Sequence, residues 1–142
     1  MRLPPLLRAS LDIMLLPLRH PRFWLLLGWV FVLAATAASL VPVQKLPLPP
    51  GINDKLEHVT GYALLTLWFT GIYPRSRYLV IAISLFAMGV LIEFAQGSMH
   101  VGRQADVRDV VANCAGIGVG LMMASFWLGG WAQRVEGWAR RS

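Results

Sequence analysis

The chain has 142 residues, of which 56% are hydrophobic and 14% charged, and its net charge is +6. A soluble domain carries about 25% charged residues, so this chain cannot be wrapped in charged surface and reads as a single bilayer-embedded domain. The positive excess does not mark a nucleic-acid binder. Its Arg and Lys residues stand in short clusters between apolar runs rather than on one face, and no cysteine pattern supports a zinc module around the lone Cys114.

Residues 1–22 form a basic N-terminal segment. Within it, residues 6–18 mix Leu, Ile and Met with Arg8 and Asp12, as expected of an amphipathic helix lying along a membrane interface. Residues 23–41 are uncharged and long enough for a first span. The Ala35-Thr36-Ala37 run imitates a signal-peptide cleavage site, but the apolar stretch exceeds the ~7–15 residues of a signal core, so a retained anchor is expected. The proline-rich residues 42–50 read as an extended cover. A second span runs over 55–73 and is ended by Pro74-Arg75-Ser76-Arg77. A third covers 78–96, a fourth 109–131, and residues 132–142 form a basic tail. The expected fold is all-α: an integral membrane four-helix bundle over 23–131.

Charge counting sets an orientation. If the N-terminus is cytoplasmic, the inner segments hold Arg2, Arg8, Arg19, Arg22, Arg75, Arg77, Arg134, Arg140 and Arg141, and the outer ones only Lys45, Lys55, Arg103 and Arg108. The positive-inside bias then places both termini in the cytoplasm of a multi-pass inner-membrane protein.

In that topology the polar residues converge. Asp54, Lys55, Glu57 and His58 open the second helix at the outer face, Glu93 and Gln96 close the third, and Asp109 and Asn113 begin the fourth after a loop with Arg103 and Asp106. Asp54, His58 and Tyr62 are spaced i, i+4, i+8 and share a face. Asp109, Asn113, Gly116 and Gly120 form a second stripe whose Gly-x-x-x-Gly half allows close helix approach. A charge inside a span costs roughly 2.5–3.5 kcal/mol, which makes Glu93 a functional candidate. Trp24, Trp29, Trp127, Trp131 and Trp138 lie near helix ends and read as interfacial anchors.

The combination Asp54-Lys55-x-x-His58 with Tyr62, then Glu93-x-x-Gln96, then Arg103-x5-Asp109-x3-Asn113-x-x-Gly116, resembles the VanZ-like family over about residues 47–120. These are small bacterial membrane proteins whose namesake gives low-level teicoplanin resistance. The resemblance implies a cell-envelope role and supplies no reaction.

Two functions follow from the residues. The first is a membrane enzyme acting on an envelope lipid or lipid-linked glycan. His58 is its general acid or base, Glu93 or Asp109 is the orienting or second carboxylate, and Arg103 and Lys55 hold an anionic head group. Asp54, Tyr62, Gln96 and Asn113 complete the ligand-binding set. The alternative is a non-catalytic binding or scaffold protein using the same pocket. A channel is disfavoured, because the first span is uncharged and the polar residues stop at one leaflet. No cofactor is expected, and no metal is assigned: Asp54-x3-His58 with Glu93 is a weak ligand pattern. The partners expected are membrane lipids or a lipid-linked precursor and no nucleic acid, with a homo-oligomer allowed for.

Overall fold

The computed structural model of the protein describes residues 14–40, 54–99 and 106–140, and every regular element among them is helical. Helix α1 spans Pro21–Leu40, with proline in its first turn, where its missing N–H costs nothing. Helix α2 spans Asp54–Ile72 and stops before Pro74, whose ring disfavours helical backbone in the residue ahead of it. One 3-10 turn, Arg75–Arg77, leads directly into α3, Tyr78–Met99. Helix α4 spans Val107–Met123, widens into a π turn over Ala124–Leu128, and halts at Gly129-Gly130. Gly130 has φ 67°, a left-handed conformation that glycine adopts without a Cβ penalty. A short helix α5, Trp131–Trp138, folds back against the bundle.

Three helical segments are long and apolar enough to cross a membrane: Pro21–Leu40, Arg75–Ser98 and Val107–Leu128. Their outward faces carry exposed Leu26, Leu33, Leu79, Leu91, Phe94 and Phe126, as expected where the surroundings are hydrocarbon. Helix α2 is less apolar, and its position accounts for that. It is the central element, packed against α1, α3, α4 and α5. Its polar side chains therefore meet protein instead of lipid. Thr66 and Thr70 are fully buried, and their hydroxyls donate to the carbonyls of Tyr62 and Thr66 one turn back.

The α2–α4 seam is the tightest contact. A Cβ on Gly116 would run into the Val59 carbonyl, and one on Gly120 would lie 2.8 Å from the Ala63 carbonyl. Small residues at this spacing bring the two backbones together. Above the seam the same stripe carries Asp109 and Asn113, both buried. Tyr62, Leu65, Ile81, Leu85 and Ile117 form the middle of the core.

The opposite end is closed by aromatic packing. Trp24, Trp68 and Trp131 stand 5.0–5.8 Å apart in tilted and edge-on pairs. The Trp131 indole donates to the Leu67 carbonyl and that of Trp68 to the Trp24 carbonyl. Trp24 and Trp131 are thus internal packing groups, whereas Trp29, Trp127 and Trp138 are exposed. Residues 132–138, read as part of a basic tail over 132–142, belong instead to the docked helix Trp131–Trp138, with Ala132 fully buried. Of the N-terminal segment only residues from 14 onward are described. There Leu15 is buried beside Ile72, and Leu16 N–H donates to the Ile72 carbonyl at 2.9 Å.

Candidate functional site

Three helices deliver polar side chains to the end of the bundle away from the tryptophans. Helix α4 begins there because Asp106 caps it: the Asp106 carboxylate accepts from Arg108 N–H at 2.8 Å. Asp109 follows in the first turn, where the helix dipole favours an anion. Lys55, in the first turn of α2, reaches across to both and pairs with Asp106 at 2.8 Å and with Asp109. The Lys55 ammonium, helped by the Arg108 amide, holds the Asp106 carboxyl below its ordinary range.

One turn deeper, His58 Nδ1 lies 2.9 Å from Asn113 Oδ1. An amide oxygen only accepts, so Nδ1 carries a proton, and in the neutral ring Nε2 is the atom with the lone pair. That Nε2 faces Asp109 Oδ2 at 3.8 Å. Asn113, expected among the ligand-binding residues, therefore orients His58 here, and the carboxylates stand on the other side of the ring.

Glu93 enters from α3 and is 5% exposed. Its Oε2 accepts from Asp106 N–H at 3.1 Å, while its Oε1 is buried without a hydrogen-bond partner. The Tyr62 hydroxyl is likewise buried and unpartnered. It lies on the α2 face shared with His58, beside Gly89, where a Cβ would come 3.0 Å from the hydroxyl and 2.9 Å from Asn113 Nδ2. Glycine at 89 is what lets α3 approach these two groups. One donor atom from each of His58, Glu93 and Asp109 lies within 4.8 Å of the others.

His58, Tyr62, Glu93, Asp109 and Asn113 are thus brought together, with Lys55 at the rim. Gln96 is buried but spent elsewhere, its amide donating to the Ser39 carbonyl at the end of α1 at 2.7 Å. Asp54 opens α2. The Asp54 side chain, Arg103 and the proline-rich 42–50 stretch lie outside the described residues. Asp106, which bonds Lys55, Glu93 and Arg108, is the residue of the cluster that motif reading passes over. The signal for it was local: an Asp just before a helical apolar run is a cap.

Two apolar grooves, each of about 340 Å³, flank α1. One lies against α2 and is lined by Phe31, Ala35, Gly61, Leu64 and Trp68. The other lies against α3 and is lined by Val32, Tyr73, Ile81, Leu85 and Met88. Gly61 stands one turn below His58 and Met88 just over one turn below Glu93, so the upper ends of both grooves lie about one turn below the level of the polar cluster. Comparison with known protein families, with curated proteins and with solved structures finds no match to this chain.

Proposed function

We propose that this chain is a VanZ-like protein of the bacterial plasma membrane. In this reading four helices cross the bilayer, both termini are cytoplasmic, and the polar cluster opens to the outer leaflet. There it binds an envelope lipid or a lipid-linked glycan. Helix α2, 19 residues or about 28 Å long, matches a hydrocarbon core of ~30 Å and counts as the fourth crossing because its neighbours cover it.

The observation that carries the reading is the pairing of two unlike environments in one small bundle. A buried acid–base–amide cluster sits at one end, and apolar grooves lie on both sides of α1 from about one turn below its level. A ligand that satisfies both has a polar head and a hydrocarbon chain. The groups around His58 suit hydrogen bonding to a hydroxylated or anionic head, and grooves lined by Leu, Val and aromatic residues suit an acyl or prenyl chain.

Lipids extracted from the purified protein and identified by mass spectrometry test this. One lipid class should be enriched over the surrounding membrane and reduced in His58→Ala. A lipid profile equal to that of the bulk membrane would sink the proposal. Reporter fusions between Met99 and Asp106 check the topology, and a cytoplasmic signal there would refute the outer-leaflet reading.

Modification of the bound head group is the second reading, favoured by His58. Its Nδ1 is fixed by Asn113, its Nε2 faces the Asp109 carboxylate at 3.8 Å, and Glu93 is in the same cluster, an arrangement suited to proton transfer. His58→Ala separates the two readings. An enzyme loses turnover and keeps affinity, whereas a binder loses affinity and has no turnover in either form.

A further inference from the structure

We propose that His58 Nε2, Glu93 and Asp109 form a binding site for one divalent transition-metal ion of the zinc or manganese class. The inference deepens the reading above. It rests on the same pocket being the functional one, and it does not require a bound lipid.

The division of labour within each side chain is the first argument. Every one of the three has one atom held by an outer partner and another turned inward. His58 Nδ1–H donates to Asn113 Oδ1, Asp109 Oδ1 accepts from Lys55, and Glu93 Oε2 accepts from the Asp106 N–H. What remains is His58 Nε2, Asp109 Oδ2 and Glu93 Oε1. Metal-binding histidines donate their second ring N–H to a carbonyl or carboxylate, which fixes the tautomer and aims the lone pair, and Asn113 does this here.

Spacing is the second. Ligand atoms at ~2.0–2.2 Å from a zinc ion stand about 3–4 Å apart. His58 Nε2 and Asp109 Oδ2 are separated by 3.8 Å, too long for a hydrogen bond and suited to a shared ion. One ligand atom from each of His58, Glu93 and Asp109 lies within 4.8 Å of the others, so a small inward shift of the side chains closes the set on an ion.

The unpartnered atoms are the third. Glu93 Oε1 and the Tyr62 hydroxyl are buried and make no hydrogen bond. Leaving a buried carboxylate oxygen unsatisfied is expensive, and it is tolerated where a ligand completes it. Among the described residues, Lys55 pairs with Asp106 and Asp109, and Arg108 also acts on Asp106, while the hydrogen bond to Glu93 comes from a neutral backbone N–H. A divalent cation offsets the remaining negative charge. An imidazole in the set favours a first-row transition metal over magnesium, which prefers oxygen ligands and bound water. Three protein ligands leave coordination open to water or to a head-group oxygen.

The test uses the full chain in detergent, stripped with chelator, reloaded with Zn²⁺, Mn²⁺ or Mg²⁺, and analysed by elemental mass spectrometry. The expected result is about one zinc or manganese ion per chain, with its release by chelator lowering the unfolding temperature. Asn113→Ala should weaken affinity about 10–100-fold through the loss of ring orientation, and His58→Ala and Glu93→Gln by more. Glu136→Gln, at the other end, should bind as the unaltered chain does. No uptake, uptake of magnesium alone, or affinity unchanged in both His58→Ala and Glu93→Gln would overturn the assignment. Should those variants misfold, cobalt(II) in the unaltered chain decides. Visible ligand-field absorption that zinc displaces supports the site, and its absence refutes it. Lipid extraction from the metal-free protein keeps the two proposals apart. Metal without an enriched lipid removes the lipid reading alone, and lipid without metal removes this one alone.

Discussion

Glu93 and Glu136 are the same residue at opposite ends of one bundle, and they are treated in opposite ways. Glu136, half-buried on α5, accepts from the backbone N–H groups of Arg19 and His20 and from the Trp24 indole, the last two at 3.0 and 2.8 Å. Burial pushes its carboxyl up, but these three donors outweigh burial and hold it below the ordinary value. Glu93 is the more deeply buried, yet it has one donor and one orphaned oxygen. Stability alone would arrange the donors the other way round, because the desolvated carboxylate needs them more. One end is a clasp that ties the N-terminal segment, α1 and α5 together. The other holds buried polar atoms, Glu93 Oε1 and the Tyr62 hydroxyl, that the fold leaves without a hydrogen-bond partner.

The strongest blow to the clasp is Trp131→Ala. It removes ring contacts with Trp24 and Trp68 and the hydrogen bond to Leu67, and large aromatic truncations cost about 3–5 kcal/mol. Because Trp131 is only partly buried, about 3 kcal/mol is expected, read as the loss of unfolding free energy in detergent. Ligand retention at the His58 end should survive below the unfolding midpoint. If it fell in parallel, the two ends would be one unit and the contrast would be false. Glu136→Ala comes next. It leaves three donors facing a vacated position, and with partial solvent access the expected loss is about 2 kcal/mol.

Glu93→Gln should go the other way. Replacing a buried, half-satisfied carboxylate with a neutral isostere is expected to stabilise the metal-free chain by about 1 kcal/mol while abolishing its ligand affinity. A destabilised Glu93→Gln would mean that the carboxylate serves the fold, as Glu136 does. Gain at Glu93 against loss at Glu136 is the sharpest form of the comparison.

What is legible in the sequence divides along the same line. The stripe Asp109, Asn113, Gly116, Gly120 can be read directly, since helical spacing is local arithmetic, and all four residues are buried on one face. The sharing of a face by His58 and Tyr62 is legible for the same reason. What lies beyond sequence is distance between helices. Nothing local says that Asn113 rather than a carboxylate meets His58 Nδ1, or that Gln96 is used up on Ser39. The start of α4 is a choice between two aspartates three residues apart, and Asp106 wins because its side chain reaches the Arg108 N–H. The clasp is hidden more deeply. Helix α5 is a short stretch in which Gln133, Arg134 and Glu136 interrupt the apolar residues, and a tryptophan at a helix end reads as a membrane anchor until its partners are known. The interfacial reading of residues 6–18 falls mostly outside the described residues, and only its end is seen, packed through Leu15.

The mildest test is pH. Because the folded carboxyl of Glu136 lies below its ordinary value of 4.5, the unfolded chain binds more protons across the interval between the two values. Stability therefore rises with pH through that interval. The contribution of Glu136 is fully present above 4.5 and is lost as pH falls through the folded value. Glu136→Gln carries no such proton. Its deficit against the unaltered chain should be largest at neutral pH and should shrink as acid is added, which paired unfolding curves measure directly. A deficit that stays constant into acid would show that the clasp works through shape and neutral hydrogen bonds. The contrast with Glu93 would then be one of packing and not of charge.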